Sequence, residues 1–434
     1  MCLTFSKPQP ARTDAMERMQ LQNRVHIAET TQDWAALLQG AARALAAAET
    51  LDRQRTIFVV ATAEQALACV VFGIHNNLDW GVIETRRLSP EVEARFAESG
   101  VTLVSAATGQ RLGQVPQPAD VVPGRICVLT SGTTGLLKLI PHSPETLNTF
   151  DRVSDLAPNS WFLPYQIGSY AWYQMVALGL FVPGQSLYLG DFNDLAASFE
   201  QALRAGRVTA ISSTPTFWRH ALMSVDETLL TSAPLASISL GGEIVDQAIL
   251  DRLAQLYPQA RIRHIYASSE AGAALVVSDG RAGFDAALLT RRDGLIHVKI
   301  ENGRLFVRSP YGTRAADGDW IDTGDLVEER GGRVYFCGRA GNTMINVGGQ
   351  KAFPPDIDAH LMTHPNVVWA QVTARRAPLV GFLPVASVVL RRPMDPDAAE
   401  NMLIRHCEGR LADYAIPRVW DFLDSVPMRA SLKS

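Results

Sequence analysis

Apolar and polar positions along the first hundred residues fall into two alternating textures. Residues 30–51 are alanine-rich and patterned as an amphipathic helix, whereas Thr56-Ile57-Phe58-Val59-Val60-Ala61-Thr62 is β-branched, continuous and short, which predicts a buried strand. Ser89-Pro90 opens a second helix, with a capping serine, a proline at the first helical position and Gly100 past the end; residues 101–105 are the next predicted strand. Helix and strand in alternation predict an α/β fold. The most apolar window, residues 175–189, is interrupted by Gly179, Pro183 and Gly184 and predicts no membrane span.

The texture changes near Leu295. Residues 296–300, the turn Glu301-Asn302-Gly303 and residues 304–307 predict a hairpin, and Gly331-Gly332 between residues 326–330 and 333–336 predicts a second. A small antiparallel module therefore closes the larger α/β part. Gly341-Asn342 is a flexible step, after which the chain carries strand and helix signals of its own, among them residues 395–411. The expected organisation is one domain over residues 1–340 and a mobile second domain over residues 341–434.

Composition narrows the classes. Of 434 residues, 47% are apolar and 19% charged, a globular profile that excludes disorder and fibre. With 40 basic against 44 acidic residues the formal charge is −4, so no global pull toward nucleic acid or an anionic membrane is expected, and any anion site has to be local. Cys2, Cys69, Cys127, Cys337 and Cys407 are scattered without C-x-x-C spacing, which suggests neither a disulfide framework nor a zinc site and points to the reducing cytoplasm. The first residues lack the charged-then-apolar pattern of a signal peptide.

The segment richest in chemistry is Leu129-Thr130-Ser131-Gly132-Thr133-Thr134-Gly135-Leu136-Leu137-Lys138, an apolar strand running into a loop of hydroxyls and glycines that ends on a lysine. Glycines let backbone N–H groups approach phosphate oxygens, hydroxyls donate to them, and the lysine adds a full charge. The spacing G-x-x-x-x-G-K-[ST] is absent, which disfavours an ordinary kinase or P-loop ATPase. A loop of this composition is by itself as often a plain turn.

Three further stretches follow in order: Tyr266-Ala267-Ser268-Ser269-Glu270, Asp322-Thr323-Gly324-Asp325-Leu326 and Gly338-Arg339. Singly, each has an ordinary structural reading: a core tyrosine, a hairpin turn, a surface ion pair. Together, from about Gly124 onward, the chain resembles the adenylate-forming superfamily of acyl- and aryl-CoA synthetases, adenylation domains and luciferases. The resemblance implies a large multi-sheet amino-terminal domain with a small β-barrel-like module and a small mobile α+β carboxyl-terminal domain. It also implies that Thr130, Ser131, Gly132, Thr133, Thr134, Gly135 and Lys138 handle the β- and γ-phosphates of ATP, that Tyr266 lies against adenine, and that Ser269 touches the α-phosphate. Glu270 would hold Mg²⁺, Asp325 and Arg339 the ribose, and Gly241-Gly242-Glu243 the junction of the adenine and acyl pockets.

The terminal stretch Pro427-Met428-Arg429-Ala430-Ser431-Leu432-Lys433-Ser434 resembles the family's closing motif, with Lys433 in the place of the catalytic lysine. A cation there would offset repulsion between a carboxylate and a triphosphate. Gly341 or Asn342 stands at the pivot on which the small domain would turn between half-reactions, and Gly348-Gly349 would line the tunnel for a phosphopantetheine arm. Several positions depart from the family: Leu137 and Leu139 flank the loop lysine, Ala267 follows the adenine tyrosine and Leu432 precedes Lys433. Gln166 stands where many relatives carry a histidine.

Tyr165, Gln166, Ser169, Trp172, Phe217, Gly241 and Gly242 are the expected acyl pocket, aromatic and with hydrogen-bonding groups for a ring hydroxyl, although aromatic residues more often build core. The pocket and the short chain resemble compact ligases that load aryl acids onto acyl carrier proteins in aryl polyene and xanthomonadin-type pathways. The expectation is an ATP- and Mg²⁺-dependent ligase that activates a carboxylic acid, such as a hydroxybenzoate, and passes it to a phosphopantetheine thiol on an acyl carrier protein. The alternatives are a ligase using free coenzyme A and a non-catalytic nucleotide- or acyl-adenylate-binding protein.

Overall fold

The computed structural model describes residues 15, 17–27, 30–48, 51–113, 119–131, 137–150, 157–191, 194–291, 293–313, 318–339, 345–347, 350–377 and 381–427. Gly132, Thr133, Thr134, Gly135, Gly341, Asn342, Gly348, Gly349 and Lys433 lie outside the described residues.

Two sheets with parallel centres make up most of the molecule. One runs in the spatial order Arg111–Leu112, Val101–Ser105, Arg55–Val60, Asp79–Glu84, Ile126–Ser131, Leu137–His142, antiparallel only at its two outer pairings. The other runs Gly272–Val277, Arg261–Ser268, Ser237–Gly241, Ala210–Ser213, Asn159–Leu163, Gln185–Leu189, Arg24–Ile27, Thr30–Asp33, again antiparallel only at the ends. Helix Tyr170–Phe181 is apolar on nearly every side and sits in the core cluster that joins the two sheets, touching the same cluster as Trp80, Val128 and Leu187.

Local chemistry sets several boundaries. Helix Pro90–Glu98 begins where the Ser89 hydroxyl accepts from the Val92 amide, and Asp395 caps helix Pro396–Cys407 in the same way through Ala398. Residues 30–51 do not form one helix: Thr30–Asp33 pairs as an edge strand, and the helix spans Trp34–Ala44. The β-branched Thr30 and Thr31 favour the extended chain, and the Asp33 carboxylate caps the Ala36 amide.

The third sheet is antiparallel, in the order Phe284–Asp285, Arg333–Arg339, Ile321–Arg330, Arg304–Arg308, His297–Glu301. Its two tight turns fall at Asn302-Gly303 and Gly331-Gly332, all four with positive φ, which matches the twist of a two-residue hairpin. A fourth sheet of Gln350–Ala352, Ile345–Val347, Gly381–Leu390, Val367–Ala377 and Val419–Leu423 packs on helices Pro354–Leu361 and Pro396–Cys407 around its own apolar cluster, including Leu361, Val388 and Leu403. Among the described residues no helix is long and apolar enough to cross a membrane.

One buried ion cluster holds the root of strand Ile126–Ser131. Asp79, 1% exposed, takes a bidentate grip from Arg125, accepts from the Val122 amide at 3.0 Å and lies 3.5 Å from the Arg55 guanidinium. It thereby ties strands Arg55–Val60 and Asp79–Glu84 to the entry of Ile126–Ser131. Burial, followed by the Asp79 charge, pushes the neighbouring Cys127 thiol up to about 12, so this cysteine is inert.

Candidate active site

The carboxyl ends of strands Arg55–Val60, Asp79–Glu84 and Gln185–Leu189 line one cleft, the kind of place where open α/β sheets take ligands. Strand Ile126–Ser131 pairs with Leu137–His142, with Thr130 opposite Lys138. Lys138 is exposed and Thr130 half-buried, so a hydroxyl and an ammonium group stand on the two strands that flank the expected phosphate-binding segment.

Strand Arg261–Ser268 delivers Tyr266 and then the loop with Ser269 and Glu270. A bulge between Tyr266 and Ala267 shifts the register against Gly272–Val277 and re-aims the side chains that follow. Tyr266 stacks on Phe336 with ring centres 4.6 Å apart and donates its hydroxyl to the Asp325 carboxylate. Asp325 is paired directly across the third sheet with Arg339. Three residues expected on the nucleoside side are thus gathered by one sheet register and one aromatic stack.

The 268–272 loop is held from several directions. The Ser268 hydroxyl accepts from the Ala271 amide at 3.0 Å, and the Glu270 carbonyl accepts from the amide and hydroxyl of Thr313 at 2.9 and 3.2 Å. The Ser269 carbonyl accepts from the His142 ring at 2.7 Å. Gly272 closes the loop at φ +74°, where an added Cβ would lie 2.5 Å from the Tyr311 carbonyl oxygen, so no other residue fits. Glu270 keeps its carboxylate half-buried and pairs with no other described residue. That is a suitable setting for a hard divalent cation, which prefers oxygen ligands and retains water.

Toward the expected acyl side, strand Ser237–Gly241 ends at Gly241 beside the Tyr165 hydroxyl, which shares a 3.2 Å hydrogen bond with Ser212. Burial, with a smaller contribution from the charge of Glu243, raises the Tyr165 phenol and keeps it neutral. Glu243 anchors the turn after Gly242 by accepting from the Thr216 amide at 3.0 Å. Ser169 caps helix Tyr170–Phe181 through the Trp172 amide at 3.3 Å, and Gln166 is buried next to it. Trp172 packs edge-on against Tyr173, and Phe217 lies among Phe162, Phe199 and Trp218; both are fully buried.

The cleft at the carboxyl strand ends has a volume of about 800 Å³ and is lined by Val60, Glu84, Arg86, Ile167, Tyr188 and Ser198. Its size suits a small-molecule ligand. Neither the cleft, nor Phe336, nor His142 stands out in the sequence. Phe336 had one signal, its place in the alternation two residues before Gly338.

Thr130 paired with Lys138, the Tyr266–Phe336–Asp325 corner and the clamped acidic loop at 268–272 are the features expected of the adenylate-forming class. The chain belongs to the AMP-binding enzyme family: residues 23–297 match its sequence model, and residues 356–433 match that of the AMP-binding enzyme C-terminal domain. Among curated relatives, the 2-succinylbenzoate–CoA ligases of Geobacillus kaustophilus and Bacillus subtilis are 32% and 31% identical over 168 residues, 36% of this chain. The matched stretch spans about a third, 34%, of the length of each relative. The fold is shared with the anthranilate CoA ligase AuaEII in complex with anthranoyl-AMP (TM-score 0.70, 16% identity, 97% of this chain and 94% of that one). It is shared equally with Bacillus subtilis o-succinylbenzoate CoA synthetase bound to ATP and magnesium (TM-score 0.68, 19% identity, 98% of each chain).

Proposed function

We propose that this protein is an AMP-forming acid–thiol ligase. A carboxylate attacks the α-phosphorus of ATP and expels pyrophosphate; a thiol then attacks the acyl carbon and releases AMP. The observation that carries this reading is the convergence of Tyr266, Asp325 and the Arg339 position with the clamped 268–272 loop at the carboxyl end of strand Arg261–Ser268. Tyr266 and Phe336 offer an apolar face for adenine, Asp325 an acceptor for ribose hydroxyls, and Thr130 and Lys138 a cationic, hydrogen-bonding grip for the outer phosphates. Glu270 would hold Mg²⁺, which when bound supplies charge neutralisation to the phosphate oxygens. Lys433, in the segment that ends the C-terminal family match, would balance the charge that migrates to the leaving group.

For the acceptor, the names of the relatives, 2-succinylbenzoate–CoA ligase and anthranilate CoA ligase, favour coenzyme A over the carrier protein expected from sequence. For the acid, an aromatic carboxylate fits both those names, 2-succinylbenzoate and anthranilate, and the Tyr165–Gln166–Ser169 corner beside Gly241. The second half-reaction needs no base, because an acyl-adenylate is activated and a thiol is a competent nucleophile.

Mass analysis of one mixture tests this reading: the protein, MgATP, a panel of aryl and fatty acids, coenzyme A and a holo carrier protein. An aryl-CoA with equimolar AMP is the expected product. Transfer only to the carrier would restore the carrier-protein reading, and nucleotide binding without pyrophosphate release for any acid would overturn the ligase in favour of a binding protein.

A further inference from the structure

We propose that His142 is a positioning residue that ties the phosphate strand to the loop carrying Glu270, so that the lysine of one and the carboxylate of the other keep a fixed separation. The inference rests on the reading of Glu270 as the magnesium-holding group.

The geometry is specific. His142 is the last residue of Leu137–His142, and in a strand residues 138, 140 and 142 share one face, so Lys138 and His142 lie about 13 Å apart on the same side. At the far end of that span the Nε2–H of His142 donates to the Ser269 carbonyl at 2.7 Å, one residue before Glu270 and 127 positions away in sequence. A carbonyl only accepts, so this bond fixes the proton on Nε2. Nδ1 then accepts from the Thr146 hydroxyl, 3.0 Å away, whose residue belongs to the short helix Pro144–Leu147. Tyr170, with its ring centre 5.2 Å from the imidazole, covers one face. Burial pulls the histidine down to about 4, against a smaller opposing effect of the Ser269 bond, so the ring stays neutral across the working range and the bond does not switch.

Thr313, in the turn after strand Arg304–Arg308, grips the next carbonyl, that of Glu270. The acidic loop is therefore pinned at two successive carbonyls, one by the end of strand Leu137–His142 and one by the turn that follows strand Arg304–Arg308. The Thr313 bonds fix the loop to the nucleoside side; His142 alone, among the described residues, bonds it to the phosphate strand through a side chain.

The test compares His142→Phe, which keeps ring volume and removes the donor, with His142→Gln, whose amide nitrogen reaches the position of Nε2. In His142→Phe, amide hydrogen exchange in residues 268–272 is expected to rise about 10-fold while exchange in the Asp79 region stays unchanged, and the Mg²⁺ concentration for half-maximal pyrophosphate release to rise about 3- to 10-fold. Turnover at saturating Mg²⁺ should change less than 3-fold, and His142→Gln should recover most of both effects. Unchanged exchange in the loop, or a His142→Gln variant no better than His142→Phe, overturns the proposal. A loss that moved turnover and global stability but not the Mg²⁺ midpoint would equally overturn it, as a packing effect. Hydrogen exchange needs no turnover, so wild-type protein without any pyrophosphate release would defeat the ligase reading while leaving the exchange comparison to decide the role of His142.

Discussion

Replacing Lys433 with alanine is expected to slow acid-dependent pyrophosphate release by about 10²- to 10³-fold, with thioester formation from a supplied acyl-adenylate changed less than a few-fold. Adenylation brings a carboxylate against a triphosphate and then loads further charge onto the leaving pyrophosphate. One opposite unit charge at about 4 Å in an environment of effective dielectric near 20 is worth roughly 4 kcal/mol. Part of that is repaid by water when the lysine is removed, which brings the expected loss to the stated range. The second half-reaction has no such charge to balance, so a loss confined to the first assigns Lys433 to it. Equal loss in both steps would contradict the assignment.

Replacing Asp79 with alanine is expected to destabilise the large domain by about 3–5 kcal/mol, seen as a lower urea midpoint with an unchanged slope. The carboxylate is fully buried against Arg125 and Arg55, each guanidinium side chain only 18% exposed. Deleting it leaves two largely desolvated cations without their counter-charge, which costs more than the ion cluster contributes when intact. The effect should extend to nucleotide binding, because the same cluster fixes the entry to Ile126–Ser131. A loss under about 1 kcal/mol would mean that water or a rearranged backbone supplies the missing partner.

What was legible in the sequence is what short-range chemistry dictates. Asn302-Gly303 and Gly331-Gly332 force positive φ and so announce the hairpins of the third sheet, and Ser89 and Asp395 announce helix starts by the bonds their side chains make. The ordered motifs around Tyr266, Asp325 and Arg339 were legible as a set, and the sheet register brings the last two opposite each other. Thr30 to Asp33 misled because an alanine-rich stretch follows directly, and only pairing with Arg24–Ile27 reveals the strand.

His142 and Asp79 were illegible for a different reason. Each works through partners far away in sequence, Ser269 for one and Arg125 for the other, and no local pattern marks a residue whose role is set by a distant carbonyl or guanidinium. The aromatic residues are similar: nothing local separates a ring that faces a ligand from one that fills core, and Trp172 and Phe217 sit wholly within aromatic packing.

The central claim is that the acid's own oxygen bonds to the innermost phosphorus of ATP. The most direct measurement supplies an aryl acid labelled with ¹⁸O in its carboxyl group, together with MgATP and coenzyme A, and weighs the nucleotide formed. AMP carrying one ¹⁸O atom, with one pyrophosphate released per thioester, is the predicted result. Unlabelled AMP, or ADP with inorganic phosphate, would contradict the account.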